Sequence, residues 1–156
     1  MKTICIFYFS GTDNTKIITE ELKKNLESRN IYVDVFEINQ RLIENFIIDI
    51  SKYNIIGLGH PIYGFNEPYL ILELVKKFPK VDRMPIFIFK TAGGVLKLNN
   101  NASGRIIKKL RRKGYDIVYD CVFGMPSNWL IKYNDRLNKQ LCETSINKVK
   151  TVVKDI

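Results

Sequence analysis

Cysteine, histidine and glycine are scarce in this chain of 156 residues, and each scarcity removes a class of function. The three cysteines, Cys5, Cys121 and Cys142, form no C-x-x-C pair. They supply neither a disulfide framework nor a zinc or iron-sulfur ligand set, and they fit a reducing cytoplasm. The single histidine, His60, has no Asp or Cys constellation around it, so it reads as a packed or hydrogen-bonded residue at a strand end rather than a catalyst. Nine glycines and five prolines are too few for a fibrous or low-complexity chain. No window approaches the roughly 18 uncharged apolar residues of a membrane span, and the opening MKTICIFYFSG has no usual cleavage pattern, so it reads as a first strand. Neither the phosphate loop G-x-x-x-x-G-K-[ST] nor the dinucleotide turn G-x-G-x-x-G is present, which argues against a nucleotide kinase and a nicotinamide-binding domain.

What remains is ordinary globular composition, 46% hydrophobic and 26% charged, at a length that suits one domain over residues 1–156. The charge is lopsided. Residues 1–75 carry 7 basic and 10 acidic side chains, whereas residues 76–156 carry 18 basic and 6 acidic, a net of +12. Such a field favours encounter with an acidic protein or a polyanion. The densest run, Lys108 to Lys113, also suits the solvated basic end of a helix, and no helix-turn-helix, zinc or RNP pattern accompanies it, so nucleic acid is not the expected partner.

Apolar runs alternate with helical spacing along the whole chain. TICIFYF (3–9) reads as a strand covered on both faces, and residues 15–29 as a helix with Ile17, Ile18, Leu22 and Leu26 inward. IYVDVFEI (31–38) reads as an edge strand, followed by a short helix or irregular crossover using Leu42, Ile43, Phe46 and Ile47. YNIIGLGHP (53–61) is a third strand. A helix over 68–78 follows, with Pro68 in its first turn and Leu70, Ile71, Leu74 and Val75 inward. PIFIFKTAGG (85–94) is a fourth strand, residues 100–113 a helix closed by Gly114, and YDIVYDCVFG (115–124) a fifth strand. The last helix is expected from about Asn128, using Trp129, Tyr133, Leu137, Leu141, Ile146 and Val149. Five strands alternating with helices predict an α/β three-layer fold with a five-stranded parallel sheet.

In such sheets ligands bind outside the carboxyl ends of the strands, beside a topological switch point. Three unusual loops leave those ends: SGTDNT, HPIYGFNEP and KTAGG. In the first, Ser10, Thr12, Asn14 and Thr15 bring short donors to the start of a helix whose first N–H groups lack internal partners, which makes a phosphate site. Simple capping by Ser10 or Asn14, with Gly11 making the turn, is the competing reading. Thr91, Ala92, Gly93 and Gly94 suit close backbone approach to a planar ligand, or a plain β-to-α turn. Asn128 suits a helix cap.

These segments, FYFSGTDNT above all, then HPIYGFNEP, FKTAGG and a weaker MPSNW, resemble the flavodoxin family along essentially the whole chain. The closest likeness is to the short flavodoxin-like domains that occur beside ferredoxin modules in anaerobes. The resemblance implies a sheet order 2-1-3-4-5, bound FMN, and electron transfer with a redox protein such as a ferredoxin. It also implies that Ser10 to Thr15 hold the FMN phosphate while Pro61, Ile62, Tyr63, Gly64 and Phe65, with Thr91 to Gly94, embrace the ring. Gly64 would be the peptide that responds to the flavin's redox state. Tyr63, Phe65 and Trp129 are the aromatics available to pack on it, and Asn128 could reach toward it. The family usually has glycine where this chain has Asp13, whose carboxylate is expected to point outward. A small FMN-dependent reductase of quinones and a basic nucleic-acid-binding or regulatory α/β protein are the alternatives.

Overall fold

The computed structural model describes residues 2–93, 101–127 and 134–156. Its elements run β1 (Thr3–Tyr8), α1 (Asn14–Glu27), β2 (Tyr32–Glu37), α2 (Gln40–Glu44), a 3-10 turn (Ile50–Lys52), β3 (Ile55–Pro61), α3 (Tyr69–Lys77), β4 (Met84–Ala92), α4 (Gly104–Arg112), β5 (Tyr115–Gly124) and α5 (Asp135–Asp155). The strands form one parallel sheet in the order β2-β1-β3-β4-β5, the flavodoxin-like arrangement.

The apolar runs explain the layers. β1, β3 and β4 are covered on both faces, so nearly every residue in them is buried, whereas β2 and β5 lie at the edges and bury fewer. One core packs Phe7, Leu58 and Ile88 of the sheet against Ile43, Leu74 and Ile106 of α2, α3 and α4. The other packs Ile6, Phe87 and Phe123 against Ile18 and Leu22 of α1 and Val149 of α5. Edge strand β5 carries a bulge: Ile86 is opposite Ile117 and Phe87 opposite Tyr119, so Val118 is the extra, exposed residue.

Several inward assignments fail. Ile17, Ile47 and Leu137 are exposed, at 37%, 91% and 37%. On α1 the buried stripe is instead completed by Thr15 and Thr19, small enough to sit close to the sheet. Ile47 lies past the end of α2, where no helical face exists to turn it inward. Pro68 is the N-cap of α3 rather than a first-turn residue, and α4 begins at Gly104. α5 begins at Asp135, capped by Asn134 whose side chain accepts from the Leu137 N–H. The helix start expected at Asn128 therefore falls well before the observed one.

Candidate functional site

Parallel strands send their carboxyl ends to one edge, and between β1 and β3 the chain leaves in opposite directions toward β2 and β4, which opens a crevice there. The crevice is a cleft of about 450 Å³, within the range of small-ligand sites. Its wall comes from the β1–α1 loop, the start of the β3–α3 loop, the end of β4, and Pro126 and Ser127 after β5. Of the residues singled out in the sequence, Ser10, Gly11, Thr12, Asn14, Thr15, Pro61, Ile62, Tyr63, Gly64, Thr91, Ala92 and Gly93 line it together. Asp13 and Phe65 do not. Gly94, Asn128 and Trp129 lie outside the described residues.

The β1–α1 turn is left without a side-chain cap. Asp13 is the N-cap residue, at φ 61 and exposed, and its side chain makes no capping bond. A left-handed N-cap is where a glycine would sit without strain, and aspartate is among the few other residues that tolerate it. Asn14 does not cap either: its Nδ2 donates to the Pro126 carbonyl at 2.9 Å and so clamps the first loop to the segment after β5. Ser10 Oγ lies 3.4 Å from the Lys16 N–H, too long for a strong cap. The competing capping reading is thus weak, and Asn14 and Thr15 of the first turn of α1 line the cleft together with Ser10 and Thr12.

Deeper in the wall, the Thr15 and Thr91 hydroxyls meet at 2.9 Å and tie α1 to β4. Opposite, Tyr63 to Asn66 close a two-residue turn through Tyr63 N–H to Asn66 O (2.9 Å) and Asn66 N–H to Tyr63 O (3.0 Å). Both central residues take positive φ, 54° at Gly64 and 64° at Phe65, as a type I′ turn requires. Phe65 is 65% exposed and points its bulk away from the cleft wall. The Tyr63 ring instead reaches across to the first loop: a Cβ placed on Gly11 would stand 2.2 Å from the Tyr63 hydroxyl. Partial burial holds that phenol above its ordinary pKa. The turn is anchored from behind by the Ile62 N–H to Thr91 O bond (2.9 Å) and by Arg105 Nε, 2.7 Å from the buried Glu67 carboxylate.

Gly93 is explained within the protein. A Cβ there would meet Ser127 Cα at 2.5 Å, so its missing side chain admits the Ser127 backbone. Pro126 and Ser127 were missed as site residues, although MPSNW follows the fifth strand and so had to emerge at the same edge. His60 is fully buried. Its Nδ1 lies 2.9 Å from the Pro61 carbonyl and its Nε2 has no partner among the described residues. Desolvation, with the nearby Lys90 charge, outweighs that carbonyl and pushes its pKa down to about 4, so the ring is neutral. Among the described residues, no charged side chain lines the cleft and no cluster of metal-ligating residues occurs. The three cysteines are free, and burial raises their pKa values, that of Cys121 to about 12.

No protein-family model and no curated protein matches this chain. Solved structures match it in fold. Oxidised flavodoxin 2 from Bacillus cereus superposes with a TM-score of 0.69 at 18% identity, covering 98% of this chain and 96% of that one. The flavodoxin, WrbA-like protein from Agrobacterium tumefaciens gives 0.62 at 11% identity, over 99% and 96%. Rubredoxin oxygen:oxidoreductase from the anaerobe Desulfovibrio gigas gives 0.61 at 13% identity, with this chain covering 99% of itself and 36% of that protein. Likeness at this identity establishes the flavodoxin-like fold; it does not reach the ferredoxin-associated subtype expected from the sequence.

Proposed function

We propose that the cleft holds FMN non-covalently and that the protein carries electrons between redox proteins of the cytoplasm. The observation that carries this reading is the uncapped first turn of α1, set with hydroxyl donors in a wall whose described residues carry no charged side chain. A phosphate monoester would be held there by N–H and O–H groups alone, from Ser10, Thr12, Thr15 and the second N–H of Asn14. An apolar, uncharged slot bounded by Pro61, Ile62, Tyr63 and Ala92 suits a planar ring and removes it from water.

Bound FMN would supply one- and two-electron chemistry, and the chain's part is to hold it and tune it. Gly64 offers a peptide that can take either orientation, since its position has no Cβ and nothing within 4 Å of where one would stand. Tyr63 is placed to cover the ring or the ribityl chain. The partner we propose is an acidic redox protein such as a ferredoxin, which the net +12 of residues 76–156 would attract.

An anaerobic spectral redox titration of protein mixed with FMN tests this. Stoichiometric flavin and two separated one-electron steps are expected. A single two-electron step would move the function to a reductase, and no binding would end the flavin reading. Gly11→Ala, which drives a methyl group into the Tyr63 hydroxyl, should weaken FMN binding by about tenfold or more.

A further inference from the structure

Most of the chain's net positive charge is concentrated at the end of the sheet opposite the cleft. There α3 and α4 terminate side by side: Lys113 Nζ donates to the Lys76 carbonyl at 2.8 Å and also to that of Phe78, and the Val81 N–H bonds to Lys113 O at 2.8 Å. Gly114, at φ 90, lets the two segments close up, since a Cβ would fall 1.8 Å from Val81 O. Residues 76–83 and 108–116 together hold nine cations against two carboxylates, Asp82 and Asp116, a net of +7 out of the chain's +9. Helix dipoles account for part of this, because cations stabilise the last turn of each helix. They do not account for Lys80 and Arg83, which lie beyond α3.

Unlike Lys76, which pairs with Glu73, the exposed Lys77, Lys80, Arg83, Lys108, Arg111 and Arg112 form no ion pair among the described residues. Burial, then the Lys109 and Lys80 charges, holds the Lys113 pKa below the usual lysine range, so these cations feel one another. Six unpaired cations on one face raise the protein's self-repulsion, which an acidic surface would relieve.

We propose that the joined ends of α3 and α4 form an anchoring surface for an acidic segment of a partner protein, separate from the cleft. It deepens the carrier reading by naming where such a partner is held, while the surface itself does not depend on FMN. From Met84, beside this surface, to Ala92, in the cleft wall, β4 spans nine residues, roughly 26 Å. A partner held here is therefore tethered rather than placed against the cofactor. Protein is favoured over nucleic acid because a cleft of about 450 Å³ in the middle of this face is lined by Asp82 and Asp116 as well as Arg83 and Arg111. A protein segment can answer both signs; a uniform row of phosphates cannot.

The test is fluorescence-anisotropy titration of a labelled 20-residue acidic peptide of repeated Glu-Glu-Lys-Glu, which carries both signs, and, separately, a 20-base-pair DNA duplex. Arg111→Glu/Arg112→Glu is compared with the charge-matched Lys23→Glu/Lys139→Glu, whose sites lie on α1 and α5. Peptide affinity should fall at least tenfold in the first variant and less than threefold in the second. FMN binding, measured in parallel, should be equal in both, which separates loss of this surface from loss of fold or failure of the flavin reading. Equal weakening of the peptide in both variants, no peptide binding at low salt, or tighter binding of the duplex than of the peptide would each overturn the proposal.

Discussion

Asp13 is unusual in its backbone and His60 in its protonation. Asp13 accepts a left-handed backbone at an N-cap and is exposed, off the cleft wall. His60 gives up its charge. Its folded pKa is lowered from 6.5 to about 4 by full burial. Between those values the unfolded chain takes up a proton that the folded chain refuses, so stability falls as pH drops through the window. The loss should reach on the order of 3 kcal/mol at pH 4 and grow no further from this group below it. Urea unfolding of wild type and His60→Gln at pH 7, 5.5 and 4 measures the difference. The two stability curves should converge on acidification, and parallel curves would show that His60 does not titrate in this range.

At the scale of elements, the Lys90–Asp120 pair joins β4 to edge strand β5. Lys90 is 1% exposed at its side chain and its Nζ stands 2.8 Å from Asp120 Oδ1, whose side chain is 23% exposed. Burial raises the Asp120 pKa in spite of that neighbour. Lys90→Met would leave the carboxylate with its desolvation and without its cation, at a cost of about 2 kcal/mol at pH 7. Protonation of Asp120 then offers relief, so the penalty should shrink by pH 5; a denaturation series showing the same loss at both pH values would assign the effect to packing instead. The strands were largely legible because β1, β3 and β4 are unbroken apolar runs that only a doubly covered sheet can bury, whereas their order was implied by the family resemblance and is the observed one. Helix faces were less so. Local spacing cannot tell which of Ile17 and Thr19 meets the sheet, because a close approach admits the smaller side chain. The site was legible as three loops, since strand direction alone brings them together. The Asn14 clamp on Pro126 and the use of Gly93 by Ser127 were not, because each joins residues more than thirty positions apart in the chain.

Over the whole molecule, charge and cleft sit at opposite ends, and that separation determines what net charge can do. Cations about 26 Å from the cleft lie more than two screening lengths away at about 0.1 M salt, where the Debye length is about 10 Å. A small anion approaching the cleft should therefore meet an almost neutral surface, although the chain carries +9. With the FMN-loaded protein reduced, reoxidation by ferricyanide should change less than about threefold between about 0.1 and 0.5 M salt. An acidic protein large enough to touch the α3–α4 end while facing the cleft should react much faster at low salt than at high. If ferricyanide instead slowed tenfold or more over that range, the field of the basic end would extend to the cleft, and charge would steer oxidants to the cofactor directly. If neither oxidant responded to salt, the basic end would have no part in electron exchange, and its partner would be one that binds without reacting.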